Sequence, residues 1–374
     1  MNYSKIIVKY SEIFLKSCPV YRRFESILIN NIRVGFKESS INAKVSKERG
    51  RIYIETKQVK KASEVLKRVF GIVSFSPCYH LKTSEIKKIQ DFVKKNHKKW
   101  IKENEKFAVR SKRIGEHKYN SQELAKLIGD VVDRKVDLSN PDVEIFAEVR
   151  NNNCYIYTEK INGPGGLPLG TAGKVVCLLS GGIDSAVAAW MLMKRGCKLV
   201  IIHADMRKKG KKAMKQIVKK LKMWHMGSDI KVYTYNQREI LKVFNENFYR
   251  HTCILCKRMI YKAANRLARK LKIKAIVTGE SLSQVASQTL DNLMVLDQAS
   301  ELLVFRPLIG MDKIEIINIA KKLGTYEIAS KHKENCWAWP TRPKTKSRLD
   351  NILKFEKQVE KKINKALDTL STSA

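Results

Sequence analysis

No run of about 18 apolar residues, the length that crosses a bilayer, occurs in these 374 residues, and no membrane association is expected. The opening Met1-Asn-Tyr-Ser-Lys-Ile-Ile-Val-Lys-Tyr10 lacks the apolar block of a signal peptide and alternates instead like a strand. Cysteine is sparse: eight scattered residues do not make a secreted disulfide framework, and most are expected as buried thiols in a cytoplasmic protein. Acid is also short. The chain sets 36 Asp and Glu against 74 Lys and Arg, a net charge of +38, more than solubility requires. A polyanionic partner is expected, nucleic acid before an anionic membrane surface. Neither Gxxxx-GK-[ST] nor GxGxxG is present, so the P-loop kinase and dinucleotide dehydrogenase readings lose their main support.

What is present centres on residues 174–196. Val175 to Leu179 is a short apolar run that suits a strand buried on both faces. Ser180, Gly181 and Gly182 then strip side-chain bulk from a turn that leads into an amphipathic helix ending at Gly196. Small residues at a helix N-terminus let backbone N–H groups approach phosphate oxygens, and Ser180 and Ser185 add hydroxyls. Asp184 in the first helical turn suits either a capping carboxylate or a magnesium holder. The string Ser180-Gly-Gly-Ile-Asp-Ser185 resembles the PP-loop of ATP pyrophosphatases, which implies cleavage of ATP between its α and β phosphates and adenylation of a carbonyl oxygen.

Upstream, alternation over Ile6 to Tyr10 and Ile52 to Glu55, with helical spacing from Pro19 to Arg33 between them, predicts a small α+β module. Helices follow over Ala62 to Val69 and Ser84 to Trp100. Phe107-Ala-Val-Arg-Ser-Lys-Arg113 is a strand with basic polar positions, Ser121 caps the next helix, and Val143 to Val149 pairs with Cys154 to Thr158. Those strings, with Val136-Asp-Leu-Ser-Asn-Pro-Asp142, resemble a THUMP domain, an RNA-binding module of tRNA-modifying enzymes. The resemblance turns Arg110, Lys112 and Arg113 from a solvated face into candidate phosphate contacts, which position RNA without reading bases. Ile161 to Gly170 is dense in Gly and Pro and marks a linker. Beyond it, Lys198 to His203 reads as a second buried strand. His203, though lone strand-end histidines are more often structural, stands with Ala204 where nucleotides bind. Lys208, Lys209, Lys211 and Lys212 open a helix whose cations continue through Lys222 with no acid, and RNA phosphates are expected there.

Cys253 and Cys256 lie one turn apart at the start of a helix running to Leu271. A helix N-terminus and adjacent cations are expected to lower their thiol pKa. Zinc, redox and iron–sulfur sites share this CxxC, but no second CxxC or histidine pair completes a zinc set. A third cysteine, Cys336, stands in Glu334-Asn-Cys-Trp-Ala-Trp-Pro340.

Together with Thr278-Gly-Glu-Ser-Leu-Ser-Gln-Val-Ala-Ser-Gln-Thr289, Arg306-Pro-Leu-Ile-Gly-Met-Asp-Lys-Ile-Glu315 and Gly165-Gly-Leu-Pro-Leu-Gly-Thr171, these strings resemble the tRNA 4-thiouridine synthetase family over nearly the whole chain. The resemblance implies that Leu178, Leu179, His203, Ala204, Arg258, Gly279 and Gln288 hold ATP, with Ser180, Gly181, Gly182 and Ser185 around its phosphates and Asp184, with Mg2+, assisting adenylation. It makes Cys336 the catalytic cysteine. As in archaeal-type members, it implies that Cys253, Cys256 and Cys336 hold an iron–sulfur cluster, [4Fe-4S] or [3Fe-4S]. Two departures matter. No rhodanese domain is expected in a chain of this length, and many members lack the Cys253 and Cys256 pair; Ala186 in place of the usual proline after the loop serine is a minor change.

The expected protein is a doubly wound α/β catalytic domain of the PP-loop ATP pyrophosphatase type, preceded by α+β ferredoxin-like and THUMP domains. The parts are 1–58 ferredoxin-like, 59–163 THUMP, 164–171 linker, 172–345 catalytic and 346–374 a C-terminal helix. Its partners are tRNA and a sulfur donor, sulfide or a persulfide carrier, and a homodimer is compatible. The expected reaction replaces the O4 of a tRNA uridine, normally position 8, with sulfur. A 2-thiouridine or 2-thiocytidine synthetase is the rival enzyme, and a non-catalytic THUMP tRNA-binding protein the rival from another class. A disulfide between Cys336 and one CxxC cysteine competes with the cluster.

Overall fold

In the computed structural model the described residues are 3–372, less 11, 207, 227, 228 and 332–335; the side chains of residues 208 and 209 are also not described. The chain divides into two compact units, residues 1–166 and 167–374.

The first unit runs β1 (Lys5–Tyr10), α1 (Cys18–Glu38), β2 (Lys44–Glu48), β3 (Arg51–Glu55), α2 (Val59–Leu66), β4 (Ile72–Leu81), α3 (Ile86–Trp100), β5 (Phe107–Ile114), α4 (Ser121–Gly129), β6 (Val143–Arg150), β7 (Asn153–Tyr157) and β8 (Ile161–Asn162). One sheet holds all eight strands in the order β2-β3-β1-β4-β7-β6-β5, with β8 on β4. The ten-residue β4 makes this continuity: residues 72–78 pair with β1, and Tyr79 to Leu81 pair with β7. Strand neighbours stand about 4.8 Å apart, yet Arg51 of β3 reaches Glu148 of β6 at 2.8 Å, and Arg150 of β6 reaches Glu48 of β2 at 3.3 Å. Only a sheet that curls on itself lets side chains four and five strands apart meet. Stacked Tyr53 and Tyr155, with centroids 4.8 Å apart, fill the concave side. The buried Glu148 there takes charge from Arg51, Arg150 and Lys9.

Helix α4 begins one residue earlier than Ser121 suggested. Asn120 is the N-cap, its side chain accepting from the Glu123 N–H while Glu123 reaches back to the Asn120 N–H.

The second unit runs β9 (Lys174–Leu178), α5 (Ile183–Lys194), β10 (Lys198–Asp205), α6 (Lys208–Lys222), β11 (Lys231–Asn236), α7 (Arg238–Asn247), α8 (Thr252–Leu271), β12 (Ala275–Val277), α9 (Leu290–Asp297), β13 (Leu303–Phe305), α10 (Lys313–Leu323), α11 (Tyr326–Lys331), α12 (Leu349–Gln358), α13 (Glu360–Asp368) and β14 (Ser371–Thr372). Its sheet order is β13-β12-β9-β10-β11-β14, parallel except for β14. Apolar residues of β9 and β10 are buried without alternation, as a strand covered on both faces requires. Gly196 follows α5 at φ +89°, and a Cβ there would stand 2.2 Å from Thr171 Oγ1, so glycine is needed where the linker crosses the helix end. The tail forms two helices, α12 and α13, broken at Val359; Ile352, Ile363 and Leu367 bury against the main core of the unit.

Candidate active site

The chain passes from β9 to β10 and β11 on one side, then returns to β12 and β13 on the other, so the strand order reverses between β9 and β12. Ligands of open α/β sheets bind at the carboxyl ends of strands at such a reversal. Two adjoining cavities open there. The first, about 470 Å³, is lined by Leu178, Leu179, Ser180, Gly181, His203 and Ala204, with Met206 and Gly210. The second, about 640 Å³, is lined by Ser180, Gly182, Asp184, Ser185, Gly279 and Gln288, with Lys257, Tyr261, Thr278 and Glu280. Leu178, Ser180 and Ile260 line both.

Local bonds shape the glycine turn. Ser185 Oγ accepts from the Ser180 N–H at 3.2 Å and lies 3.0 Å from Ser180 Oγ, which accepts from the Gly182 N–H at 3.1 Å. Gly182 is the N-cap of α5 and has no side chain to satisfy the helix's first N–H groups, which leaves them for an anion. Gly279 closes the opposite wall: a Cβ there would stand 2.5 Å from Ser185 N and 2.6 Å from Asp184 C. The buried Gln288 Oε1 has no hydrogen-bond partner, so the second cavity offers an unfilled acceptor. His203 combines two roles: it lines the first cavity, while its Nδ1–H donates to the Leu179 carbonyl at 2.8 Å, tying the ends of β9 and β10.

Asp184 is engaged on both oxygens, by Lys313 Nζ at 2.5 Å and by Gln284 Nε2 at 2.9 Å. Neither partner was among the sequence candidates. Lys313 opens α10 beside the Asp312–Glu315 capping box, and its place in the Arg306-Pro-Leu-Ile-Gly-Met-Asp-Lys string was the available signal. Glu280 is a second unanticipated group. It is buried, and takes bonds from Tyr261 Oη at 2.8 Å, Thr278 Oγ1 at 3.0 Å, Arg306 Nε at 2.9 Å and Lys257 Nζ at 3.2 Å. Burial alone would raise its carboxyl pKa, but Lys257, Arg306 and Tyr261 hold it below the usual range. Lys257 is thereby fixed on the cavity wall, next in sequence to Cys256.

Arg258 does not line either cavity. Its buried guanidinium is forked onto Glu356 of α12, Nε to Oε1 at 2.8 Å and Nη2 to Oε2 at 3.0 Å, and also bonds the Val295 carbonyl. The side chain points to the neighbouring helices because α8 turns consecutive residues about 100° apart: Lys257 and Arg258 cannot face the same way.

Cys253, Cys256 and Cys336 are all free and partly exposed as residues. A charge on Cys336 raises the pKa of both CxxC thiols, so the three lie within electrostatic reach of one another. The expected lowering of these thiol pKa values is corrected. Burial first, then Cys336, pushes Cys253 up to about 11, and burial with Cys336 and Cys253 pushes Cys256 up to about 12, against the opposing pull of Lys257. Cys256 Sγ also accepts from Gln237 Nε2 at 3.0 Å, and Gln237 Oε1 accepts from Tyr235 Oη. Among the described residues no three His, Cys, Asp or Glu side chains are arranged around a single ion. Thiolates of an iron–sulfur cluster bind different irons, so that requirement does not apply to a cluster.

In the first unit, Arg110 Nε is paired with Glu144 at 2.7 Å and its Nη2 donates to the Leu138 carbonyl at 2.8 Å. Lys112 shares its strand face and is exposed. Arg113 does not join them, because successive strand residues point to opposite faces; it bonds the Gly115 carbonyl at 2.8 Å. In α6, Lys212 is exposed and Lys211 stands 3.8 Å from Asp205, while the side chains of Lys208 and Lys209 lie outside the described residues.

Family models fit this arrangement in three blocks: a ThiI ferredoxin-like domain at residues 5–76, a THUMP domain at 83–159 and "Thiamine biosynthesis protein (ThiI)" at 170–361. A probable tRNA sulfurtransferase of Methanobrevibacter smithii is 39% identical over 99% of this chain and 100% of its own. That of Thermococcus kodakarensis is 42% identical over 88% of this chain and 90% of its own. The chain belongs to the ThiI family of tRNA sulfurtransferases. A solved relative, a 4-thiouridine synthetase in complex with RNA and ATP, is 29% identical, with TM-score 0.87 over 99% of each chain. A Pyrococcus horikoshii protein, also 29% identical, gives 0.69 over 86% of this chain and 99% of its own. ThiI ferredoxin-like, THUMP and ThiI catalytic parts thus follow one another in this chain.

Proposed function

We propose that this chain is an ATP-dependent tRNA sulfurtransferase that replaces O4 of a uridine, normally position 8, with sulfur. The observation that carries the reading is the pair of adjoining cavities at the β9–β12 reversal, lined by ten of the eleven expected nucleotide residues and bearing the orphan acceptor Gln288 Oε1. The relatives' names and the ATP and RNA of the solved 4-thiouridine synthetase support it.

The chemistry follows from a poor leaving group. Uracil O4 departs only after adenylation converts it to AMP, which lets a sulfur nucleophile substitute at C4. The first N–H groups of α5 and the hydroxyls of Ser180 and Ser185 stabilise charge building on pyrophosphate. Lys313 sets the orientation of Asp184, the carboxylate that would hold magnesium against the phosphates. Lys257, fixed by Glu280, offers a cation between the phosphate cavity and the thiols.

Cys253, Cys256 and Cys336 suit an iron–sulfur group by donor type, and a bound cation would favour the thiolate form of Cys253 and Cys256 against the burial that opposes it. When bound, such a cluster would supply sulfur for the substitution at C4, held by Cys253, Cys256 and Cys336. Residues 1–163 contain the ferredoxin-like and THUMP parts that hold the tRNA in the cytoplasm.

Anaerobic incubation with unmodified tRNA, ATP, magnesium and sulfide, followed by nucleoside mass spectrometry, tests the reading. It predicts 4-thiouridine with one AMP and one pyrophosphate per sulfur. A 2-thiopyrimidine, or ATP turnover without a thionucleoside, contradicts it.

A further inference from the structure

The segment 336–344 contains no helix or strand but is strapped to the turn Tyr249–His251, which leads directly into the CxxC helix α8. The Thr341 N–H donates to Tyr249 Oη at 2.9 Å, the Lys344 N–H to the Arg250 carbonyl at 3.0 Å, and Arg250 Nε to the Arg342 carbonyl at 3.2 Å. These bonds explain how Cys336, 80 positions after Cys256, comes within reach of the other two thiols. The strap has a second property. Its first turn closes with the Trp339 N–H on the Cys336 carbonyl at 3.0 Å and tucks Ala338 inside, which turns the rings on either side outward. Trp337 is 53% exposed and Trp339 51%, with Tyr249 across the strap at 41%. Among the described residues no other ring stacks on any of the three.

Large half-exposed rings beside a cysteine of the candidate site have a natural occupant in a nucleobase. A uracil stacked inside folded RNA presents neither face nor edge to an enzyme, and must leave the stack before its carbonyl can be adenylated. An extruded base regains stacking on aromatic side chains, most often in single-stranded or distorted RNA. Residues 336–349 also carry Arg342, Lys344, Lys346 and Arg348 and no acid, so this segment offers positive charge to phosphates flanking such a base.

We propose that Trp337 and Trp339, with Tyr249, form the stacking platform that receives the extruded target uracil of the tRNA beside Cys336, and that Arg342 and Lys344 hold its flanking phosphates. The platform rests on the tRNA-thiolating reading and deepens it. It makes the strap a substrate-holding element as well as the carrier of the third cysteine.

A tRNA transcript carrying 5-iodouridine at the position the wild-type enzyme thiolates tests it, because this base photocrosslinks to rings stacked on it. The crosslinked peptide, located by mass spectrometry, is expected to contain Trp337 or Trp339. The double variant Trp337→Ala, Trp339→Ala should lose kcat/KM for tRNA by roughly 10- to 100-fold, the range of lost base stacking. Its ATP affinity should stay at the wild-type value, and Trp337→Phe with Trp339→Phe should recover most of the loss. A crosslink to another segment, or a double variant with wild-type kcat/KM, overturns the platform and leaves the thiolation reading intact. Sedimentation showing that the double variant merely separates a dimer would assign the rings to a second copy and overturn it as well. If the wild type forms no thionucleoside, the functional reading fails first and the platform with it.

Discussion

Asp184 is gripped from two directions, and the grip is made by residues 100 and 129 positions away in sequence. Lys313 forms the closer contact and is itself partly exposed, so its ion pair contributes little to stability, about 0–1 kcal/mol. Lys313→Ala should therefore melt near the wild-type temperature yet slow tRNA-dependent pyrophosphate release by roughly 10²- to 10³-fold, the usual effect of removing one preorganised charge. A wild-type rate would assign Lys313 to the surface. Glu356 poses the opposite case, structure without chemistry. Burial would raise its pKa, but Arg258 and Lys262 outweigh that and hold the carboxyl below its ordinary 4.5. A depressed carboxylate stabilises the fold above its unfolded pKa and loses that contribution as pH falls through the folded value. Glu356→Gln should cost about 3–5 kcal/mol at neutral pH by stranding Arg258, with the gap to wild type narrowing below pH 4.5 in thermal melts. A gap that is constant with pH would contradict this account. Asp184, Gly279 and Gln288 line the second cavity, and their place in short dense motifs is why the sequence pointed to them as candidates. Gln284, Lys257 and Glu280 lie in or next to the same strings but were not singled out, since their roles depend on which way each side chain turns. Arg258 shows the limit from the other side: its motif position suggested ATP, and its helical phase aims it at α12.

At the scale of elements, periodicity sufficed where burial is one-sided or complete. The β9 run follows from it, as do the α8 span to Leu271 and the end of α10 at Gly324, whereas α5, expected to be amphipathic, is buried without a break from Ser185 to Trp190 because it is covered on more than one side. It failed where two residues compete for one boundary. Ser121 and Asn120 are both good caps, and only the reciprocal bond with Glu123 decides for Asn120. The tail looked like a single helix because its apolar spacing continues through Val359, where the backbone leaves helical geometry. The meeting of the β12 end with the first turn of α5 is the most demanding element contact in the site. Gly279→Ala puts a methyl group against backbone atoms that cannot rotate away. Overpacking of this kind costs about 1–3 kcal/mol, and it should also remove most of the thermal shift that ATP gives the wild type. An alanine variant with an unchanged shift would show that the two elements separate freely.

For the whole molecule, the excess of 38 positive charges was the plainest feature of the sequence, and it bears on binding rather than fold. Three exposed lysines of α6, Lys212, Lys215 and Lys219, lie along one face of that helix. If they meet phosphates, Lys212→Glu, Lys215→Glu and Lys219→Glu together should lower the slope of log tRNA affinity against log salt by about 2–3, at roughly 0.7–0.9 per contact. An unchanged slope would return α6 to the role of a solvated face. The curled eight-stranded sheet was not legible at all. Its curl depends on contacts such as Arg51 with Glu148, 97 residues apart, which local spacing does not encode. That Cys336 stands within electrostatic reach of Cys253 and Cys256 was to be expected only through family resemblance, because the strap that carries Cys336 has no periodic signal.

On the proposed reading, ATP cleavage and the three thiols serve the same tRNA base. Single turnover of Cys336→Ala with unmodified tRNA, labelled ATP and sulfide tests this most directly. Pyrophosphate release and an adenylated tRNA at near wild-type rates are expected, with no thionucleoside formed. Thiolation by the variant at the wild-type rate would contradict it.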